Sequence, residues 1–329
     1  PIFLLQVYGW NSRGIGGSYS HQNPRGNAMK IGMIGLGRMG ANMAQRLTQK
    51  SHQVIGYDAQ AAARKRAEGA NIGTVASLQA VVDMLEPPRT VWMMVPAGQP
   101  VDDTLDTLLP LFAAGDVVID GGNSNYKDTM RRAARLKDRS LNYVDCGTSG
   151  GVWGLQEGYS MMVGGDEQLI DRLRPIFEAL APSPNSGWGR VGPVGSGHFV
   201  KMVHNGIEYG MMQALAEGFS ILHHKDEFKL DLHAIAEIWR DGSVVRSWLL
   251  ELTSAALQKD PTLRDLQAWV DDSGEGRWTV SEAINLDVPA PVISLALIER
   301  LRSRDPDSFS DKLLAAMRNE FGGHAVKKK

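Results

Sequence analysis

Residues 30–41 read Lys30-Ile31-Gly32-Met33-Ile34-Gly35-Leu36-Gly37-Arg38-Met39-Gly40-Ala41. A short apolar run ends in three glycines spaced G-x-G-x-x-G, and an amphipathic stretch follows. The spacing predicts a strand over Lys30–Gly35, a tight turn, and a helix over Gly40–Lys50. Working outward, the alternation persists. Strands are predicted at Gln53–Tyr57, Val91–Val95, Val117–Asp120, Asn142–Cys146 and Tyr159–Val163. Helices are predicted at Ala59–Glu68, Val101–Phe112 and Glu167–Leu180. Short strands separated by helices require a parallel sheet covered on both faces. The texture then changes. Ala181–Gly197 holds three prolines and five glycines and reads as a boundary. Beyond it nearly every segment is helical, beginning with a long helix over His198–His224, whose 27 positions span roughly 40 Å. The expected architecture is an α/β Rossmann-like parallel-sheet domain over residues 29–195 and an all-α helical domain over 196–329.

The glycine turn carries chemistry. Gly35 permits the tight turn, Gly37 lets backbone approach a pyrophosphate, and Gly40 lets helix and strand pack closely. The helix start adds free N–H groups and a positive partial charge. Residues 35–40, with Leu36, Arg38 and Met39 among them, are thus expected to bind a dinucleotide. Asp58 lies at the second strand–helix junction, 23 residues past Gly35. A carboxylate there accepts hydrogen bonds from ribose hydroxyls and repels a 2′-phosphate, favouring NAD over NADP. Arg64, Lys65 and Arg66 just downstream are the counter-signal, although at helical spacing they read as a solvated face. Val95, Pro96, Ala97 and Asn123, at the ends of later strands, complete the expected cofactor side.

Composition narrows the function further. The chain has 329 residues, 35 Lys and Arg against 37 Asp and Glu, and a net charge of −2, which argues against general electrostatic binding of nucleic acid. The single cysteine, Cys146, has no partner for a disulfide within the chain or for a thiolate zinc site. No metal is expected. No apolar run reaches the ~18–20 residues of a membrane span, and a cytoplasmic protein is expected.

Lys201, His204, Asn205 and Glu208 fall at i, i+3, i+4 and i+7 of the long helix, on one face. One reading is a solvated stripe, with Phe199, Val203, Ile207 and Met211 burying the opposite side. The other is a base and acid pair. The Gly195-Ser196-Gly197 lead-in, which lets a ligand approach the helix start, favours the second. A further glycine-rich element, Gly147-Thr148-Ser149-Gly150-Gly151, offers Ser149 and backbone N–H groups to a carboxylate or hydroxyl.

These separated stretches, together with Gly197–Tyr209, Gly276-Arg277-Trp278-Thr279 and Phe321-Gly322-Gly323-His324, resemble the decarboxylating 6-phosphogluconate dehydrogenases in their short, single-repeat form, within the β-hydroxyacid dehydrogenase superfamily. The resemblance implies oxidative decarboxylation of 6-phosphogluconate to ribulose 5-phosphate with reduction of NAD, a step of the pentose phosphate pathway. It gives Lys201 the role of general base and Glu208 that of the acid. Asn123, Ser149, Gly150, Gly151, His204 and Asn205 become substrate-positioning groups, and Tyr209 and Arg300 phosphate contacts. Arg318 and His324 correspond to residues that enter a partner subunit's site, implying a homo-oligomer, a dimer or tetramer, with shared sites. One departure is Ser273, where the longer enzymes carry a phosphate-binding lysine; Arg277 or a neighbour's arginine is the expected substitute.

Two competing readings remain. A non-decarboxylating β-hydroxyacid dehydrogenase needs Lys201 but not Tyr209, Arg300, Arg318 and His324. A non-catalytic nucleotide sensor or scaffold has no use for the Lys201/Glu208 pair. Residues 1–28 are read as vector-derived or disordered sequence ahead of a natural start at Met29.

Overall fold

The computed structural model describes residues 28–322 and 325–327. Residues 1–27 of the expected extension 1–28, and His324, lie outside the described residues. The first part runs β1 (Lys30–Ile34), α1 (Arg38–Gln49), β2 (Gln53–Tyr57), α2 (Ala61–Glu68), β3 (Gly73–Thr74), α3 (Leu78–Asp83), β4 (Thr90–Met93) and α4 (Gln99–Leu108). It continues through β5 (Val117–Asp120), α5 (Tyr126–Lys137), β6 (Asn142–Ser149), α6 (Gly154–Glu157), β7 (Ser160–Gly164), α7 (Glu167–Leu180) and β8 (Trp188–Gly192). Then come α8 (Ser196–His223), α9 (Leu232–Arg240), α10 (Trp248–Lys259), α11 (Glu275–Asn285), α12 (Pro291–Arg302) and α13 (Phe309–Gly322).

The eight strands form one sheet in the order β3-β2-β1-β4-β5-β6-β7-β8. The first six are parallel, whereas β7 runs antiparallel to β6 and β8 parallel to β7. The reversal follows from chain length. Residues 150–159 are too few for a crossover, which needs a dozen or more, whereas α7 supplies one between β7 and β8. β8 itself lies inside the Pro/Gly-rich passage read as a boundary. Alternate strand residues face opposite cores: Trp92, Val117 and Ile119 pack on one side, Val91, Met93 and Val118 on the other. Burial on both faces explains why these strands read as continuous apolar runs.

The helical part is built differently. Its buried apolar cluster comprises Phe219, Ala236, Leu250 and Leu257. Meanwhile Val292, Leu295 and Ile298 of α12, and Phe309, Leu314 and Met317 of α13, are all exposed. So are Ile207 and Met211 of α8, which counts against the solvated-stripe reading in which they bury the opposite side of this helix. The reason lies in the docking of α8: the side turned to the protein carries Gly197, Lys201, Asn205 and Tyr209.

Candidate active site

The loops at the carboxyl ends of the parallel strands meet the first turns of α8 around a cleft of about 1600 Å³. Open α/β sheets bind ligands at this edge. Gly35, Gly37, Arg38, Met39 and Gly40 line it, as do Asp58, Val95, Pro96, Ala97 and Asn123. Across the cleft stand Ser149, Gly150 and Gly151, then Lys201, His204, Asn205 and Glu208. Leu36 is the exception in the first turn. Its side chain is buried, and its N–H donates to Asp58 Oδ2 at 2.8 Å.

The geometry of the first turn fits a dinucleotide. Gly35 sits at φ +93°, where a side chain is strained, and a Cβ on Gly40 would lie 1.9 Å from the Gly35 carbonyl oxygen. At Gly37 a Cβ would meet nothing within 4 Å, so space remains for a pyrophosphate at the start of α1. Among the described residues, no side chain caps that helix start. Asp58 accepts from the N–H of Leu36 and, through Oδ1, from the N–H of Gln60 at 2.8 Å. Each oxygen keeps lone-pair capacity for a ribose hydroxyl. Arg64 turns to the Asp58 carbonyl oxygen at 2.6 Å.

Two buried carboxylates shape the rest. Asp120 accepts from Gly122 N–H at 3.2 Å, Ser124 Oγ at 2.8 Å and Tyr143 OH at 2.9 Å, fixing the turn that presents Asn123. Asp145 accepts from Gly195 N–H at 2.7 Å and His198 N–H at 2.8 Å. The start of α8 is therefore capped by Asp145. The Gly195-Ser196-Gly197 lead-in docks on the sheet, which corrects the reading of it as a ligand approach. Close packing continues at Gly147, where a Cβ would lie 2.3 Å from Lys201 Cβ. Sequence reasoning missed Asp120 and Asp145 as organising groups. Asp120 carried a signal, an ionisable residue at the end of an otherwise apolar strand, whereas Asp145 lies within β6.

Lys201 is 6% exposed, and its Nζ lies 3.4 Å from His204 Nδ1. Burial lowers the lysine pKa from its ordinary value, while Glu208 and Glu275 oppose that effect. His204 Nδ1 also lies 3.1 Å from Asn205 Oδ1 and 3.8 Å from Glu208 Oε2. The polar stripe is thus a connected set facing the cleft. Apolar wall residues that the sequence reading did not assign to the site are Val203, Ile207 and Met211 of α8, and Trp248 and Leu252 of α10.

Tyr209, Arg300 and Ser273 meet elsewhere on α8. The Arg300 guanidinium stacks 3.6 Å from the Tyr209 ring centroid, and Ser273 N–H donates to Tyr209 OH at 3.3 Å. None of the three lines the cleft of its own chain. Arg277 does not replace the missing lysine as a free cation, because it makes two 3.0 Å hydrogen bonds to Asp272. Arg318 lies on the exposed face of α13, away from the cleft. Among the described residues, no group of three His, Cys, Asp or Glu side chains is placed to hold a metal ion.

Comparison with known proteins agrees with this layout. Residues 30–189 match the family described as the NAD binding domain of 6-phosphogluconate dehydrogenase, and residues 197–311 match its C-terminal domain. A Haloferax volcanii protein named NAD(+)-dependent, decarboxylating 6-phosphogluconate dehydrogenase is 44% identical over 302 residues, covering 92% of this chain and 99% of the relative. A Bacillus subtilis protein of the same name is 36% identical, over 91% of this chain and 65% of that longer relative. The structure of Plasmodium falciparum 6-phosphogluconate dehydrogenase superposes with a TM-score of 0.77 at 30% identity, covering 91% of this chain and 66% of that one. The chain belongs to the 6-phosphogluconate dehydrogenase family.

Proposed function

We propose that this chain oxidises and decarboxylates 6-phosphogluconate to ribulose 5-phosphate and carbon dioxide, passing the hydride to NAD. The observation that carries this reading is the buried Lys201 amine, facing the same cleft as the first glycine turn and Asp58. When bound, NAD supplies an oxidised pyridine ring as hydride acceptor. Gly35–Gly40 and Asp58 hold the pyrophosphate and ribose ends, with Val95–Ala97 and Asn123 beside them.

Burial favours the neutral form of Lys201, as a base requires. Its nitrogen takes the proton of the substrate 3-hydroxyl while the C3 hydrogen leaves with its electron pair. The resulting 3-keto acid breaks its bond to the carboxylate, and the electrons move into the carbonyl. The ammonium of Lys201 donates to that developing oxyanion. Glu208 then delivers a proton to C1 of the enediol. Ser149, Gly150, Gly151, His204 and Asn205 position the sugar acid, and Tyr209 and Arg300 serve its phosphate. The apolar surface of α12 and α13, exposed among the described residues, supports association with a second copy. Arg318 and His324 of that copy are proposed to complete the phosphate site.

The test is to supply NAD and 6-phosphogluconate and follow absorbance together with carbon dioxide. NADH and carbon dioxide in equal amounts are expected. NADH alone would indicate the non-decarboxylating alternative, and neither signal would indicate a sensor. In the same assay, Asp58→Ala is expected to lower kcat/KM with NAD by about 10- to 100-fold, the scale of a lost charge-assisted hydrogen bond. It should also narrow the preference over NADP. An unchanged cofactor ratio would remove Asp58 from the ribose site.

A further inference from the structure

Glu275 opens α11, directly after Gly274, and is 2% exposed. Among the described residues, neither carboxylate oxygen has a hydrogen-bond partner. Buried carboxylates are normally paired or hydrogen-bonded, so two orphan oxygens call for a reason. The location supplies one. Thr279 Oγ1 hydrogen-bonds both the Glu275 and the Met202 carbonyl oxygens at 2.8 Å, pinning the first turn of α11 beside the residue that follows Lys201. In the free protein Lys201 is hydrogen-bonded to His204, not to Glu275.

We propose that Glu275 is a positioning residue that receives the Lys201 ammonium formed when the amine takes the substrate hydroxyl proton. This rests on Lys201 being the base. The proton moves from oxygen to Nζ, the O–H electron pair becomes part of the new carbonyl, and the C3 hydride goes to NAD. A positive charge thereby arises at a buried nitrogen. The ammonium has three N–H groups, which His204, the substrate oxygen and Glu275 can accept together. The carboxylate gains its partner only as the amine gains its proton, so the interaction favours the transition state over the resting enzyme.

The other groups around Lys201 cannot substitute. On α8, His204 is a neighbour and Glu208 is part-exposed and is assigned to the later protonation at C1. β6 brings Asp145, whose oxygens are held by Gly195 and His198, and Cys146, whose thiol burial pushes up to about 12. His198 is held by Thr129 at 2.7 Å, and Arg300 of α12 lies on Tyr209. Burial and the Glu275 charge act on Lys201 in opposite directions.

The experiment measures the pH dependence of Lys201 acetylation by acetic anhydride in the cofactor-free protein, read by mass spectrometry. It needs no substrate, so it stands or falls apart from the 6-phosphogluconate assay. Glu275→Gln is expected to move the labelling midpoint down by about one pH unit. In active enzyme, the acidic limb of the kcat/KM profile should move the same way, and kcat should fall about tenfold because a weaker base remains. Glu275→Asp, which keeps the charge, should restore most of the shift. If the amide variant misfolds, Glu275→Met carries the same expectation. An unchanged midpoint in a folded, uncharged variant would overturn the proposal, even with a changed melting temperature.

Discussion

Lys201→Ala is expected to cut turnover of 6-phosphogluconate by about a thousand- to ten-thousandfold, at the upper end of what a positioned base contributes. The loss should exceed that of an ordinary base deletion because the same nitrogen serves twice. It takes the hydroxyl proton, and as an ammonium it then steadies the oxyanion during loss of carbon dioxide. NAD affinity should stay within about twofold, because the pyrophosphate turn and Asp58 belong to other elements. Stability should rise or hold, since an amine that is 6% exposed resists burial. Titration of NAD binding beside steady-state kinetics separates the two effects. Turnover within a few-fold of the unmodified enzyme would remove Lys201 from the chemistry.

Gly147→Val is the second large effect, and it acts without touching substrate. A Cβ at position 147 would stand 2.3 Å from Lys201 Cβ and 2.7 Å from the Gly197 carbonyl oxygen. Neither neighbour can give way cheaply. Gly197 is pressed on the sheet, and the start of α8 is pinned by Asp145. The helix must therefore shift as a body. Overpacking of this kind costs about 1–3 kcal/mol. A displacement near 1 Å at a reacting group costs about a hundredfold in rate. Urea denaturation and kcat should fall together, with NAD binding retained. A stable variant with unimpaired kcat would show that α8 does not need this approach.

Much of the fold was legible because its signals were local. The glycine turn and the alternating apolar runs located β1, α1 and most of the parallel strands. β3 has two residues and half of the α5 positions are charged, so neither stood out from its surroundings. β8 was hidden by its own Pro/Gly-rich context, since tertiary pairing with β7, not local propensity, makes it a strand. In the site, the spacing of Lys201, His204, Asn205 and Glu208 was readable, but its burial was not. Helical periodicity says which residues share a face, not which face meets the protein. For that reason it took the exposure of Ile207 and Met211 to count against the solvated-stripe reading. Asp145 and Glu275 needed three-dimensional contacts, because nothing within four residues of either explains a buried acid.

Strand β6 has a consequence for how this protein can change over time. Its odd-numbered positions serve the chemistry in turn: Asp145 caps a helix, Gly147 clears space, Ser149 reaches the cleft. Val144 and Cys146, pointing the other way, merely fill the core. Tolerance to mutation should thus flicker along the strand, apolar exchange being accepted at one residue and refused at the next. A single inserted or deleted residue would swap the two sets and lose all three services at once.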